Sequence, residues 1–162
     1  MSIGAPPEEL ALFGTLKVLV VDDSAEMRRL LLALLAAMNI GEVVCAQSGE
    51  AGLKLFAAER PDLIITDGAM QPMDGYEMTR RIRADMANAD VPILMISGHI
   101  GHRHVVQARN DGITDYLAKP VTPALLYERV RAAVSRPIHI VETQDYRGLS
   151  PARRLTPHMA RE

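Results

Sequence analysis

The stretch Leu63-Ile-Ile-Thr-Asp-Gly-Ala-Met-Gln-Pro-Met-Asp-Gly75 has the form of a buried strand running straight into a loop. A short β-branched, apolar run carries one carboxylate, Asp67, to the point where the strand pattern stops, and a polar loop punctuated by Gly and Pro follows at once. In an α/β sheet ligands bind at the carboxyl ends of the strands, so a lone acid there points to chemistry. The plainer alternative is an acid that only caps the loop. The flanking segments decide between the two.

Upstream, Lys17 to Val21 is almost wholly apolar, as a strand of a buried parallel sheet must be, and ends in Asp22-Asp23-Ser24. Ser24 is a plausible N-cap for a helix over Ala25 to Met38, which places Met27, Leu30, Leu31, Leu34 and Met38 on one face. Asn39-Ile-Gly41 stops it, a strand follows over Val43 to Ala46, and Gln47-Ser48-Gly49 opens a helix over Glu50 to Glu59. Asp62 to Thr66 is then the strand that carries Asp67. Downstream come a helix from Gly75 to Ala84, a strand over Val91 to Ile96, and a weaker helix over His102 to Asn110. A strand over Asp115 to Ala118 and a helix from about Thr122 to Val134, with Pro123 at its first position, complete the pattern. Five strands alternating with five helices through short connections imply an α/β fold, a doubly wound five-stranded parallel sheet with helices on both faces.

The 162 residues suffice for one domain with a sizeable core. Residues 1–15, which include Ala5-Pro6-Pro7 and show no clear period, are expected as a flexible N-terminal arm, with a helical turn over Glu8 to Leu12 as the alternative, and residues 16–135 as the domain. Residues 136–162 are expected as an extended or disordered tail containing Pro137, Pro151 and Pro157. A net charge of −2 is too close to neutral to imply nucleic acid or a strongly acidic partner for the whole chain. The tail, however, carries Arg136, Arg147, Arg153, Arg154 and Arg161 against Glu142, Asp145 and Glu162. It has no helix-turn-helix pattern, so a DNA-binding output is not expected. The lone Cys45 excludes an internal disulfide and fits a reducing compartment. The longest apolar run, Leu30 to Met38, is too short to span a membrane, and no signal peptide is read. The expected location is therefore cytoplasmic.

The carboxyl ends of the strands converge on one edge of such a sheet. They present Asp22 and Asp23, then Asp67, then Ser97, then Lys119. Three carboxylates in one small site repel one another unless a hard cation joins them, and Mg²⁺ suits oxygen ligands with a phosphate oxygen among them. A hydroxyl and an ammonium opposite suit phosphoryl oxygens. Taken singly, Asp22 and Asp23 could cap a helix, Ser97 could be a turn residue and Lys119 a surface lysine. Together at parallel strand ends they read as a Mg²⁺-dependent phosphoryl site with a carboxylate nucleophile.

Val20-Val-Asp-Asp-Ser24, Asp67 followed by Met70, Pro72, Met73, Asp74 and Gly75, then Ile96-Ser97 and Asp115-Tyr-Leu-Ala-Lys-Pro120, resemble the receiver domain of two-component response regulators. The resemblance covers about Lys17 to Ser135, and the spacings match those of the CheY-like family without gaps. It implies a flavodoxin-like sheet of order 2-1-3-4-5. It assigns Asp67 as the phosphoacceptor, attacking the phosphorus of a phosphohistidine on a histidine kinase or phosphotransfer protein. It gives Mg²⁺ the ligands Asp23 and Asp67 directly, Asp22 through water, and the Ala69 carbonyl. Ser97 would hydrogen-bond the phosphoryl group, Lys119 would pair with it, and Tyr116 matches the switch aromatic whose rotamer follows phosphorylation. The output implied is a changed face over the helix at 102–110, the strand at 115–118 and the last helix, read by an unknown downstream protein. Such a chain is a phosphoacceptor and not an enzyme, with at most slow self-catalysed phosphorylation and dephosphorylation. Two positions depart from the family pattern: Gln71 stands where it usually has proline, and Gly98 where it usually has alanine.

The tail segment Tyr146-Arg-Gly-Leu-Ser-Pro-Ala-Arg-Arg154 resembles, less specifically, tails of stand-alone alphaproteobacterial receivers, some of which bind cyclic di-GMP. By that resemblance Arg147, Arg153 and Arg154 are candidate anion-binding residues, since guanidinium groups make bidentate phosphate contacts and stack on guanine. A solvated tail is the alternative. His99, His102 and His104 lack a firm metal-ligand spacing and read more simply as a solvated loop. A haloacid-dehalogenase-type phosphohydrolase also uses Asp, Ser or Thr, Lys and Mg²⁺, but it needs a second Asp where Ala69 stands.

Overall fold

The computed structural model describes residues 5–85, 90–98 and 102–135 and the strand backbones at 140–142 and 147–149; over 102–105 the helical backbone alone is described. The apolar runs form β1 (Lys17–Val21), β2 (Glu42–Ala46), β3 (Leu63–Asp67), β4 (Ile93–Ser97) and β5 (Asp115–Ala118). These pair in the order β2-β1-β3-β4-β5, which the resemblance to receiver domains implies, and every neighbouring pair is parallel, as the alternation of elements implies. The helices are α1 (Pro7–Phe13), α2 (Ala25–Ala37), α3 (Gly49–Glu59), α4 (Gly75–Ala84), α5 (His102–Asp111) and α6 (Pro123–Ser135).

Successive strand side chains point to opposite faces, and the interior divides accordingly into two cores. Leu19, Val21, Ile64, Ile93 and Met95 pack with Phe56 of α3, Met78 and Ile82 of α4 and Ala108 of α5. Val18, Val20, Leu63, Ile65, Leu94 and Ile96 pack with Leu31 and Leu35 of α2 and Leu126 and Val130 of α6. Burial on both faces explains why these strands read as continuous apolar runs instead of alternating ones.

The helices α2, α3 and α4, which follow β1, β2 and β3 on the ligand edge, start from side-chain caps. Ser24 Oγ accepts from the Met27 N–H at 3.3 Å, Ser48 Oγ from Ala51 at 3.1 Å, and Asp74 from Glu77 at 2.8 Å. These caps pin the start of each helix close behind its strand, which keeps the strand-end loops short and their side chains convergent.

Two expectations need correction. Residues 7–13 are a helix, not a loose arm: α1 buries Phe13 against Tyr127 of α6, ring centroids 5.8 Å apart at 71°. On α2 the inward face is Leu31, Leu35 and Met38, with Met27 and Leu34 half-buried, whereas Leu30 is exposed. An unbroken run of apolar residues carries no phase, so packing against the sheet chose the face. In the tail, β6 (Ile140–Glu142) and β7 (Arg147–Leu149) pair antiparallel, with β7 lying against α5. Among the described residues no helix is long and apolar enough to cross a membrane.

Candidate functional site

The carboxyl edge of β1, β3, β4 and β5 brings together the residues expected there. One oxygen each from Asp22, Asp23 and Asp67 fall within 4.8 Å of one another. Asp22 and Asp67 are buried and Asp23 is exposed. Lys119, immediately after β5, places Nζ 3.5 Å from an Asp67 oxygen and 4.0 Å from Asp22. Ser97 ends β4 and is buried; its carbonyl accepts from the Lys119 N–H at 3.0 Å, which ties the hydroxyl-bearing and ammonium-bearing strand ends together. Ala69 is exposed beside them, its N–H 3.4 Å from an Asp67 oxygen.

The loop after Asp67 is held by contact with the strand it leaves. The Gly75 N–H donates to Gly68 O at 3.0 Å, and a β-carbon on Gly75 would lie only 2.1 Å from Asp67 O. The loop therefore closes at Gly75 despite Gln71 standing in place of the usual proline; the Gln71–Pro72 and Lys119–Pro120 peptides are both cis.

Electrostatically the site is short of positive charge. Asp22 is held above the usual carboxylate range chiefly by burial and secondarily by the Asp67 and Asp23 charges, against which the Ser24 N–H and Lys119 work. Its Oδ1 accepts from the Ser24 N–H at 2.8 Å. One ammonium faces three acids, so a hard cation with a preference for oxygen would relieve the repulsion, and the donor set fits such an ion. Arranged this way the site can accept an anionic, oxygen-rich group between the lysine, the hydroxyl and a cation.

Tyr116 of β5 is 1% exposed, its ring inside the molecule. Two residues that the sequence reading passed over also belong here. Arg28 of α2 donates through Nη1 to Asp22 O at 2.6 Å, anchoring the acidic turn. Tyr76, in the first turn of α4, lines the cleft beside Asp67 together with Gly68, Gln71, Asp74, Ser97 and Gln107. Arg28 had a signal, lying one helical turn past the Ser24 cap; nothing local marks Tyr76, whose importance is tertiary. The side chains of His102, His104 and Arg147, and all of His99, Arg153 and Arg154, lie outside the described residues.

Residues 18–131 match the family model of the response regulator receiver domain. Among curated proteins, the chemotaxis protein CheY1 of Helicobacter pylori strain J99 is 36% identical over 120 residues, covering 74% of this chain and 97% of that protein. The CheY homolog of Campylobacter jejuni strain 81-176 is 36% identical over 116 residues, covering 71% and 89%. Among solved structures, chemotaxis protein CheY4 of Vibrio cholerae superposes with a TM-score of 0.69 at 30% identity, over 73% of this chain and 98% of that one. A putative response regulator from Chloroflexus aurantiacus gives 0.71 at 31% identity, over 75% and 98%. Sheet order, acidic edge and matched residues agree, and the chain belongs to the response regulator receiver domain family, CheY-like in fold.

Proposed function

We propose that the chain is a single-domain response regulator that takes a phosphoryl group onto Asp67 and signals by protein contact. The observation that carries the reading is the pairing of Lys119 Nζ with an Asp67 oxygen at 3.5 Å beside two further carboxylates. Only at Asp67 do a carboxylate oxygen, an ammonium and a metal-competent acid pair meet among the described residues. A carboxylate oxygen of Asp67 attacks the phosphorus of a phosphohistidine on a histidine kinase or phosphotransfer protein. The P–N bond breaks, the imidazole departs, and an acyl phosphate remains.

Asp23 and Asp67, with Asp22 behind them and the Ala69 carbonyl, would hold Mg²⁺, which when bound offsets the charge on the transferring oxygens. Lys119 exchanges its Asp67 contact for the phosphoryl oxygens, and the Ser97 hydroxyl donates to one of them. Both side chains sit on strand ends, so the site needs little rearrangement to form. Their displacement toward the phosphoryl group biases the face made by α5, β5 and α6, including Tyr116, between two arrangements that a partner distinguishes.

Beryllofluoride, a phosphoryl mimic, tests this directly. With Mg²⁺ present it should shift amide resonances around β4, β5 and α5 in the wild type and leave Asp67→Asn unchanged. Acetyl phosphate should add one phosphoryl mass to the wild type alone. Equal responses from the two proteins would sink the assignment.

A further inference from the structure

Tyr76 occupies an unusual position between the site and the switch ring. It stands next to Gly75, whose backbone is clamped to Gly68 and Asp67, so α4 begins in rigid contact with the phosphoacceptor strand. A β-carbon on Gly68 would lie 3.4 Å from Tyr76 Cε2 and 3.6 Å from Ser97 Cβ, so the Tyr76 ring and the Ser97 side chain both lie over Gly68 and line the same cleft. At its other end the Tyr76 hydroxyl is fully buried and meets no partner at ordinary hydrogen-bond geometry. Tyr76 and Tyr116 belong to the same buried cluster. Burial first, and then the adjacent Tyr116 hydroxyl, push the Tyr76 pKa far up, so this hydroxyl is a protonated donor at any physiological pH.

A buried hydroxyl without a bond is costly, and a small rotation that lets it meet its phenolic neighbour removes the cost. We propose that Tyr76 is a positioning residue of the switch, its ring lying over Gly68 in the cleft that Ser97 also lines and its hydroxyl holding Tyr116 in the inward rotamer. Displacement at the phosphoryl site then reaches Tyr116 through one side chain as well as through the loop after β4. This inference rests on the phosphoacceptor reading for its purpose, but the contact it describes does not.

The chain has four tyrosines, so 3-fluorotyrosine labelling gives four resonances that Tyr→Phe variants assign. Tyr76→Phe removes only the hydroxyl. It should move the Tyr116 fluorine resonance toward its solvent-exposed position in metal-free protein. It should weaken beryllofluoride binding by about fivefold, the equilibrium equivalent of one neutral hydrogen bond, and leave Mg²⁺ affinity as in the wild type. In a Tyr116→Phe background the same substitution should no longer change beryllofluoride affinity. An unmoved Tyr116 resonance, or an affinity loss that persists without the Tyr116 hydroxyl, would overturn the proposal. The fluorine measurement needs no phosphoryl group, so it stands even if Asp67→Asn binds beryllofluoride as well as the wild type does, which is the outcome that would instead remove the phosphoacceptor reading.

Discussion

At the scale of the residue, Gly75 shows how tightly Asp67 is framed. Its missing side chain is what lets the start of α4 touch Asp67 O, and a β-carbon there would collide with that backbone oxygen at 2.1 Å. Neither atom is the far end of a flexible side chain, so relief must come from moving β3 or α4. Gly75→Ala should therefore cost about 1–3 kcal/mol in urea unfolding, the range for overpacking a filled interior. It should also slow labelling by acetyl phosphate, because the same shift drags Asp67 from Lys119. Wild-type stability in Gly75→Ala would mean the loop is looser than this contact says. Buried charge elsewhere is handled differently. The Arg83 guanidinium, 2% exposed, donates to Gly112 O at 2.9 and 2.8 Å and also to Val91 O, joining α4 to the segments that enter β4 and β5. Arg129 reaches Asp115 at 3.4 Å with both side chains buried, fixing α6 to the start of β5. Both pairs sit away from the acidic edge and serve the frame that positions it.

Among the elements, α1 is the addition to the receiver frame, since it precedes the residues that match the family. Seven residues are too few for a helix to persist alone in water, so its order comes from docking. Phe13 fills the base of the core under α2 and α6, and Glu9 accepts from the Tyr127 hydroxyl and pairs with Arg131 at 3.4 Å. The turn after α2 completes the seal. The Gly41 N–H donates to Phe13 O at 3.0 Å, and a β-carbon on Gly41 would fall 2.1 Å from Gly14 O. Phe13→Ala should lose about 3–5 kcal/mol of stability, as for other large aromatic truncations in a core. Amide exchange should accelerate in α1 and in α6 while β3 keeps its protection. The exposed ion pair Glu9–Arg131 contributes little by comparison, so Arg131→Ala should be nearly silent. A Phe13→Ala protein as stable as the wild type would show that α1 is an ornament.

For the molecule as a whole, the acidic edge trades stability for readiness. Three carboxylates share a small region, one of them desolvated enough to be pushed above its usual range. A divalent cation that binds the folded chain and not the unfolded one must stabilise it by mass action. At a hundredfold excess over its dissociation constant Mg²⁺ should add about 2.7 kcal/mol to the unfolding free energy, and a chelator should remove the gain. Asp23→Asn should abolish that response while raising the stability of the metal-free protein, because one repelling charge is gone. An identical melting temperature with Mg²⁺ and with chelator would count against a metal site at this edge. The two cores that pack the parallel strands on both faces give the acidic edge a rigid scaffold.

What the amino-acid sequence determined by itself was everything governed by short range: strand runs, caps, turns, and the chemistry standing at each strand end. Continuous apolar runs, helices capped at Ser24, Ser48 and Asp74, and short connections leave few topologies other than a parallel sheet. That topology necessarily gathers Asp22, Asp23, Asp67, Ser97 and Lys119 at one edge, so the candidate site was legible before any coordinates. Only tertiary structure could decide the rest, because it turns on contacts between distant residues. Phe13 becomes ordered through Tyr127, the unbroken apolar run of α2 takes its phase from the sheet, and Tyr76 joins the buried cluster that also holds Tyr116. None of these leaves a periodic or local mark, since the free energy that selects them comes from burial between segments far apart in the chain.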